Sequence, residues 1–224
     1  MKTTLYPSLL ILCLALPAFA TSDTNTKKTP PVAAKSADTK KTVELKIKEP
    51  APEFTATDAA GKTQKLADYK GKFVVLEWYN KDCPFVRKQY DSNKMQSLQE
   101  KFTATGKVVW FQVLSSGKGK EGYLDGPGAI SQIATEKAKV TGALLDPSGK
   151  LARMYGAKST PHMFIIDPKG ALIYAGAIDS KRSADKEDIK TSENYVDAAL
   201  NEALAGNPVT IAATTSYGCS IHYQ

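Results

Sequence analysis

The chain has 224 residues, 42% of them apolar, and a formal charge of +7. That near-average composition excludes a wholly disordered or collagen-like chain, and the length suits one ordinary domain with room for a tether. Three cysteines and two histidines exclude a multi-zinc protein and a disulfide-dense scaffold.

Residues 1–20 read as a leader. Lys2 supplies a positive start, residues 9–16 an apolar run, and Ala18 and Ala20 the small residues of a processing site. The run is too short for a helix that crosses a bilayer, which needs about 20 residues. Cleavage after Ala20 is expected, with export to the periplasm and no integral membrane segment left. Cys13 would leave with the leader, so the mature chain would keep Cys83 and Cys219. Residues 21–48 are rich in Lys, Thr and Ala and read as a flexible linker. Lys2 and seven lysines against four acids, all before residue 50, account for more than half of the net charge. The domain's own charge is therefore modest, which argues against a nucleic-acid partner.

The domain is expected over residues 49–205, followed by a tail over 206–224. Residues 43–47 suggest a short strand. Residues 73–79 are dense in β-branched and aromatic side chains and predict a buried strand. Phe85, Val86, Tyr90, Met95, Leu98 and Phe102 then follow helical spacing. Residues 107–114 predict a second buried strand. Residues 115–128 form a glycine-rich loop without the lysine of a phosphate loop. Residues 129–140 predict a helix, 144–145 a strand, 151–155 a helical turn, 163–167 and 171–177 a hairpin, and 195–204 a last helix. Strands and helices that alternate before a hairpin give an α/β class with a mixed central sheet flanked by helices.

Cys83 falls between the strand at 73–79 and the helix that Pro84 opens. A helix N-terminus favours a thiolate there, and Arg87, one turn on, adds positive charge. The carboxyl end of parallel strands is also where α/β proteins place their sites. The segment Trp78-Tyr79-Asn80-Lys81-Asp82-Cys83-Pro84 resembles the active turn of the thioredoxin-like superfamily. Thr160-Pro161 is similar to its cis-proline loop. Ala51-Pro52-Glu53-Phe54, Gly61 and Lys70-Gly71-Lys72 resemble the entry of its peroxiredoxin or redoxin branch, the alkyl hydroperoxide reductase/thiol-specific antioxidant family.

The resemblance implies a thioredoxin-like fold and a thiol chemistry that needs no cofactor and acts on a protein thiol or disulfide, or on a peroxide. Cys83 would be the nucleophile, Arg87 would lower its pKa, and Pro161 would shape the substrate groove. The chain departs from both branches. Val86 stands where a dithiol thioredoxin has its second cysteine. Asn80 and Leu76 stand where a peroxidatic site has threonine and proline. Cys219, on a mobile tail, is the candidate resolving thiol, and a bond to Cys83 would be either structural or cycling. The sequence does not name the external reductant. The alternative reading is a redox-inert or copper/zinc-binding protein that uses Cys83, His162, Cys219 and His222.

Overall fold

This computed structural model describes residues 45–223. The expected leader and the linker as far as residue 44 lie outside the described residues. Residues 45–47 do not continue the strand expected over 43–47. The chain turns there, with Lys48 at φ 72°, and the Lys48 N–H donates to the Leu172 carbonyl at 2.7 Å.

Among the described residues one sheet has seven strands, in the order β2-β1-β5-β4-β3-β7-β8. These are β1 (Thr55–Asp58), β2 (Thr63–Lys65), β3 (Phe73–Trp78), β4 (Val108–Leu114), β5 (Gly142–Leu145), β7 (His162–Ile166) and β8 (Leu172–Gly176). The neighbours β3, β4 and β5 run parallel, while β7, β8, β1 and β2 run antiparallel to their neighbours. The expected mixed sheet is therefore present. A second ladder joins β6 (Ser159–Thr160) to β9 (Cys219–Ser220).

β3 and β4 are covered on both faces, so their apolar runs need not alternate with polar residues. Every residue of β4 is buried, as is all of β3 after Phe73. Strand alternation sends Val75 and Trp110 into one core with Cys83, and Val74, Leu76, Trp78 and Phe164 into the other. Each fully buried aliphatic or aromatic side chain contributes about 1.5–3 kcal/mol.

The helical stripe beyond Cys83 divides in two, as α1 (Pro84–Asp91) and α2 (Lys94–Thr103). The Ser92 hydroxyl donates to the Lys88 and Gln89 carbonyls, and Asn93 takes the left-handed conformation at φ 58°. The Ser92 hydroxyl competes for backbone carbonyls in this way, and Asn tolerates the left-handed region, which stops α1 while the apolar spacing runs on. α3 (Gly126–Glu136) starts earlier than expected because Asp125 caps it, accepting from the Gly128 N–H at 2.8 Å. It also ends earlier, at left-handed Lys137. α4 (Lys150–Met154) and α5 (Tyr195–Leu204) lie where the sequence suggests. No helix among the described residues is long and apolar enough to cross a membrane.

Candidate active site

Cys83 is extended (φ −74°, ψ 121°), and α1 begins at the next residue. A proline pushes the residue before it out of the helical region, and its own missing N–H costs nothing at the first helical position. The Cys83 carbonyl starts the helix by accepting from the Val86 and Arg87 N–H groups at 3.0 and 2.9 Å. The turn before it is held by Asn80, whose Oδ1 accepts from the Asp82 N–H at 2.8 Å. Asp82 in turn accepts from the Gly122 N–H at 3.0 Å. The Asn80 amide is directed at the Glu121 carbonyl, 3.5 Å away. Asn80 is thus occupied in lacing the turn to the 117–122 loop.

The Cys83 side chain is fully buried, and its Sγ donates to the Thr160 carbonyl at 3.0 Å. Thr160 precedes Pro161, and the peptide between them is cis. The two-strand ladder pairs Thr160 with Cys219 and Ser159 with Ser220. Both carriers therefore converge on Thr160, one through its side chain and the other through strand pairing. The two sulfurs are unbonded thiols. Burial first, and then the neighbouring Cys83, push the Cys219 thiol up to about 12.

The tail that carries Cys219 is packed against the domain and is not the mobile arm expected from its position. The Thr214 N–H and the Ala175 N–H fasten it to β8, each at 3.1 Å. Tyr217 is buried, with its ring edge on Phe85 and its hydroxyl donated to Asp179. Beyond β9, the His222 carbonyl accepts from the Gly117 N–H at 2.8 Å, and the Arg153 guanidinium lies 4.6 Å from the Tyr223 ring centroid. Residues 212–223 thus form a strap across the sheet end to which β3 delivers Cys83. Gly218 (φ 129°) is required, because a Cβ there would run into the Thr160 carbonyl.

The other sequence candidates fall around this centre. Arg87 turns to Glu136 and Asp91, with its guanidinium 5.3 Å from the Tyr90 ring centroid. Pro161 links β6 to β7. The His162 ring stacks on Phe164, in the core on the opposite face from Cys83, and its Nδ1 accepts from the Lys158 N–H at 3.2 Å. Burial, with Lys158 nearby, lowers its pKa to about 3, so the imidazole is neutral. No group of three or more metal-ligating side chains is gathered among the described residues, so Cys83, His162, Cys219 and His222 do not form a metal cage there.

Sequence reasoning missed the buried Lys88–Asp179 pair, 3.1 Å apart, and the way Tyr217 reaches it. The signal was a tyrosine two residues before Cys219, legible only once the tail's path is known. It also missed Glu77, fully buried on β3 beneath α1 and α2. Its carboxylate accepts from Tyr90 Oη at 2.8 Å, Trp110 Nε1 at 2.8 Å and Gln99 Nε2 at 3.1 Å. Burial outweighs those hydrogen bonds and raises its pKa to about 7.

Known proteins share this frame. An uncharacterized conserved protein from Geobacillus kaustophilus superposes with a TM-score of 0.67 at 23% identity, over 80% of this chain and 93% of its own. A putative thiol:disulfide interchange protein DsbE from Chlorobium tepidum gives a TM-score of 0.50 at 26% identity, over 66% and 94%. Peroxiredoxin-2 of Pongo abelii is 34% identical over 57% of this chain and 75% of that protein. The sequence profile of the AhpC/TSA family matches residues 47–175, which run from before β1 to within β8 and include Cys83 and Thr160-Pro161. With a thioredoxin-like mixed sheet and a cysteine at the strand-to-helix turn, the chain belongs to the AhpC/TSA family.

Proposed function

We propose that this chain is an exported thiol oxidoreductase that cycles between a Cys83, Cys219 dithiol and a Cys83–Cys219 disulfide. The observation that carries the reading is the pairing of Cys219 opposite Thr160, whose carbonyl holds the Cys83 sulfur. Residues 49–205 serve as the redoxin domain and 206–224 as the tail that brings the second thiol. Pro161 shapes the groove behind Thr160, while the Arg87 guanidinium is engaged by Glu136 and Asp91. The leader pattern of residues 1–20 supports export to the periplasm.

A disulfide is the favoured oxidant. The Cys83 thiolate attacks one sulfur of the substrate disulfide, forming a mixed disulfide and releasing the other sulfur as a thiolate. Cys219 gives up its proton and attacks the Cys83 sulfur. The substrate leaves as a dithiol, and the enzyme keeps the disulfide until an external thiol reduces it. The position that would hold a peroxidatic hydroxyl is Asn80, whose oxygen accepts from the Asp82 N–H and whose amide faces the Glu121 carbonyl. Family membership and the peroxiredoxin-2 likeness favour a second reading, with a peroxide as oxidant. Cys83 would then become a sulfenic acid as the peroxide leaves as an alcohol or water, and Cys219 would displace water to give the same disulfide.

The test is stoichiometric. Reduced protein is mixed with excess aromatic disulfide, and the released thiolate is followed by absorbance. The chain should release two equivalents and keep no aromatic adduct, because Cys219 displaces the second aromatic thiolate from Cys83, while Cys219→Ser should stop at one and keep an aromatic adduct on Cys83. Equal release by both proteins would remove Cys219 from the mechanism. Replacing the aromatic disulfide with hydrogen peroxide and comparing rate constants decides between the oxidants.

A further inference from the structure

The Lys88–Asp179 pair is wholly buried, with the two side chains 0% and 1% exposed. A buried ion pair is a weak source of stability unless further hydrogen bonds satisfy its charges. Here they do. Lys88 Nζ also donates to the Lys181 carbonyl at 2.9 Å, and Asp179 also accepts from Gln89 Nε2 at 2.6 Å and the Lys181 N–H at 3.0 Å. The last acceptor site on Asp179 takes the Tyr217 hydroxyl, and Lys88 Nζ lies 5.9 Å from the Tyr217 ring centroid. Lys88 belongs to α1, which Cys83 opens. Tyr217 stands two residues before Cys219, with only Gly218 between. One charged cluster therefore grips both cysteine-bearing segments.

We infer that Lys88, Asp179 and Tyr217 form a latch that holds the strap closed over Cys83, and that Tyr217 is a positioning residue for the second thiol. The inference rests on the proposed Cys83–Cys219 cycle and adds what governs it. A closed strap covers Cys83, so any external reagent waits for it to open. The same closure keeps Cys219 within reach, so the latch sets the effective concentration of the resolving thiol. Loosening the latch therefore has opposite effects on the two steps: Cys83 is reached sooner and resolved later. It also makes the intramolecular disulfide easier to reduce, because an unlatched tail must be ordered when the bond forms.

Tyr217→Phe removes the hydroxyl and keeps the ring on Phe85. In the full chain, alkylation of Cys83 at pH 7, mapped by mass spectrometry, should be about tenfold faster than in the parent. Release of the second aromatic thiolate should be about tenfold slower. These are the sizes expected for one hydrogen bond to a buried carboxylate. The reduction potential of the couple, measured against dithiothreitol buffers, should rise by about 30 mV for that tenfold change. A lower melting temperature with alkylation, release and potential unchanged would overturn the latch and leave a merely structural tyrosine. If the parent chain itself forms no Cys83–Cys219 bond, the proposed cycle fails, a result distinct from a silent Tyr217→Phe.

Discussion

Cys219 faces Thr160 in a two-residue antiparallel ladder, and the Thr160 carbonyl accepts the thiol hydrogen of Cys83 at 3.0 Å. The second thiol is thus brought in by strand pairing. The tail supplies what the turn lacks, since Val86 occupies the place where a dithiol thioredoxin has its second cysteine.

Cys219 should be a poor nucleophile in the resting protein. Its pKa is pushed up to about 12, by burial first, then by the neighbouring Cys83 and by the Glu121 charge. Alkylation of Cys219 in the reduced chain should therefore be slow at pH 8 and still climbing at pH 10. Cys83→Ser removes the charge of the neighbouring thiol, leaving burial and Glu121, and should shift the profile toward the ordinary value of 9.0. Rates at Cys219 between pH 7 and 11, read by mass mapping, check this, and superimposable profiles would contradict it.

Gly218→Ala should lift β9 from β6. The added methyl meets the Thr160 carbonyl, and a φ of 129° is unfavourable for any residue with a Cβ. The expected cost is about 1–3 kcal/mol by denaturant titration. Resolution by Cys219 should slow while the first attack by Cys83 does not.

Two buried groups give the fold opposing pH dependences. Glu77 has its pKa raised from 4.5 to about 7, so the folded state holds the proton more tightly. That contributes stability which is complete below pH 4.5 and is lost as pH rises to about 7, about 3 kcal/mol at most. His162, lowered from 6.5 to about 3, contributes stability present above pH 6.5 and lost as pH falls toward 3. The two offset each other between pH 4.5 and 6.5. Glu77→Gln should therefore make the urea midpoint fall steadily on acidification, and His162→Asn should make it rise.

Asp146 joins three elements. It accepts from the Leu151 and Ala152 N–H groups, both at 3.0 Å, at the start of α4, and from the Ser115 hydroxyl at 2.7 Å beyond β4. Asp146→Ala leaves these buried donors unpartnered and should cost about 2–4 kcal/mol of unfolding free energy. None of its hydrogen bonds reaches either cysteine, so the two-equivalent release of aromatic thiolate should persist.

Runs such as Val74-Val75-Leu76 and Val108-Val109-Trp110 announce the sheet, because β-branched and aromatic side chains suit a strand covered on both faces. The break at Asn93 is not announced, because the apolar spacing continues from Tyr90 to Met95 and only the Ser92 side chain decides it. Cys83 is legible from its place between strand and proline. Cys219 is legible as a second thiol, but its position is not, since that depends on Thr160, Tyr217 and Asp179, which lie far apart in sequence. A polar cluster such as Lys88–Asp179 carries no periodicity, and nothing short of the folded path reveals it.

The central claim is that Cys83 and Cys219 form one redox couple. Peptide mapping of the protein, oxidised by one equivalent of a disulfide and alkylated before digestion without reductant, tests it most directly. The expected result is a peptide holding Cys83 joined to one holding Cys219, lost on reduction. Recovery of Cys219 as a free alkylated thiol, while Cys83 remains oxidised by another partner, would contradict the account.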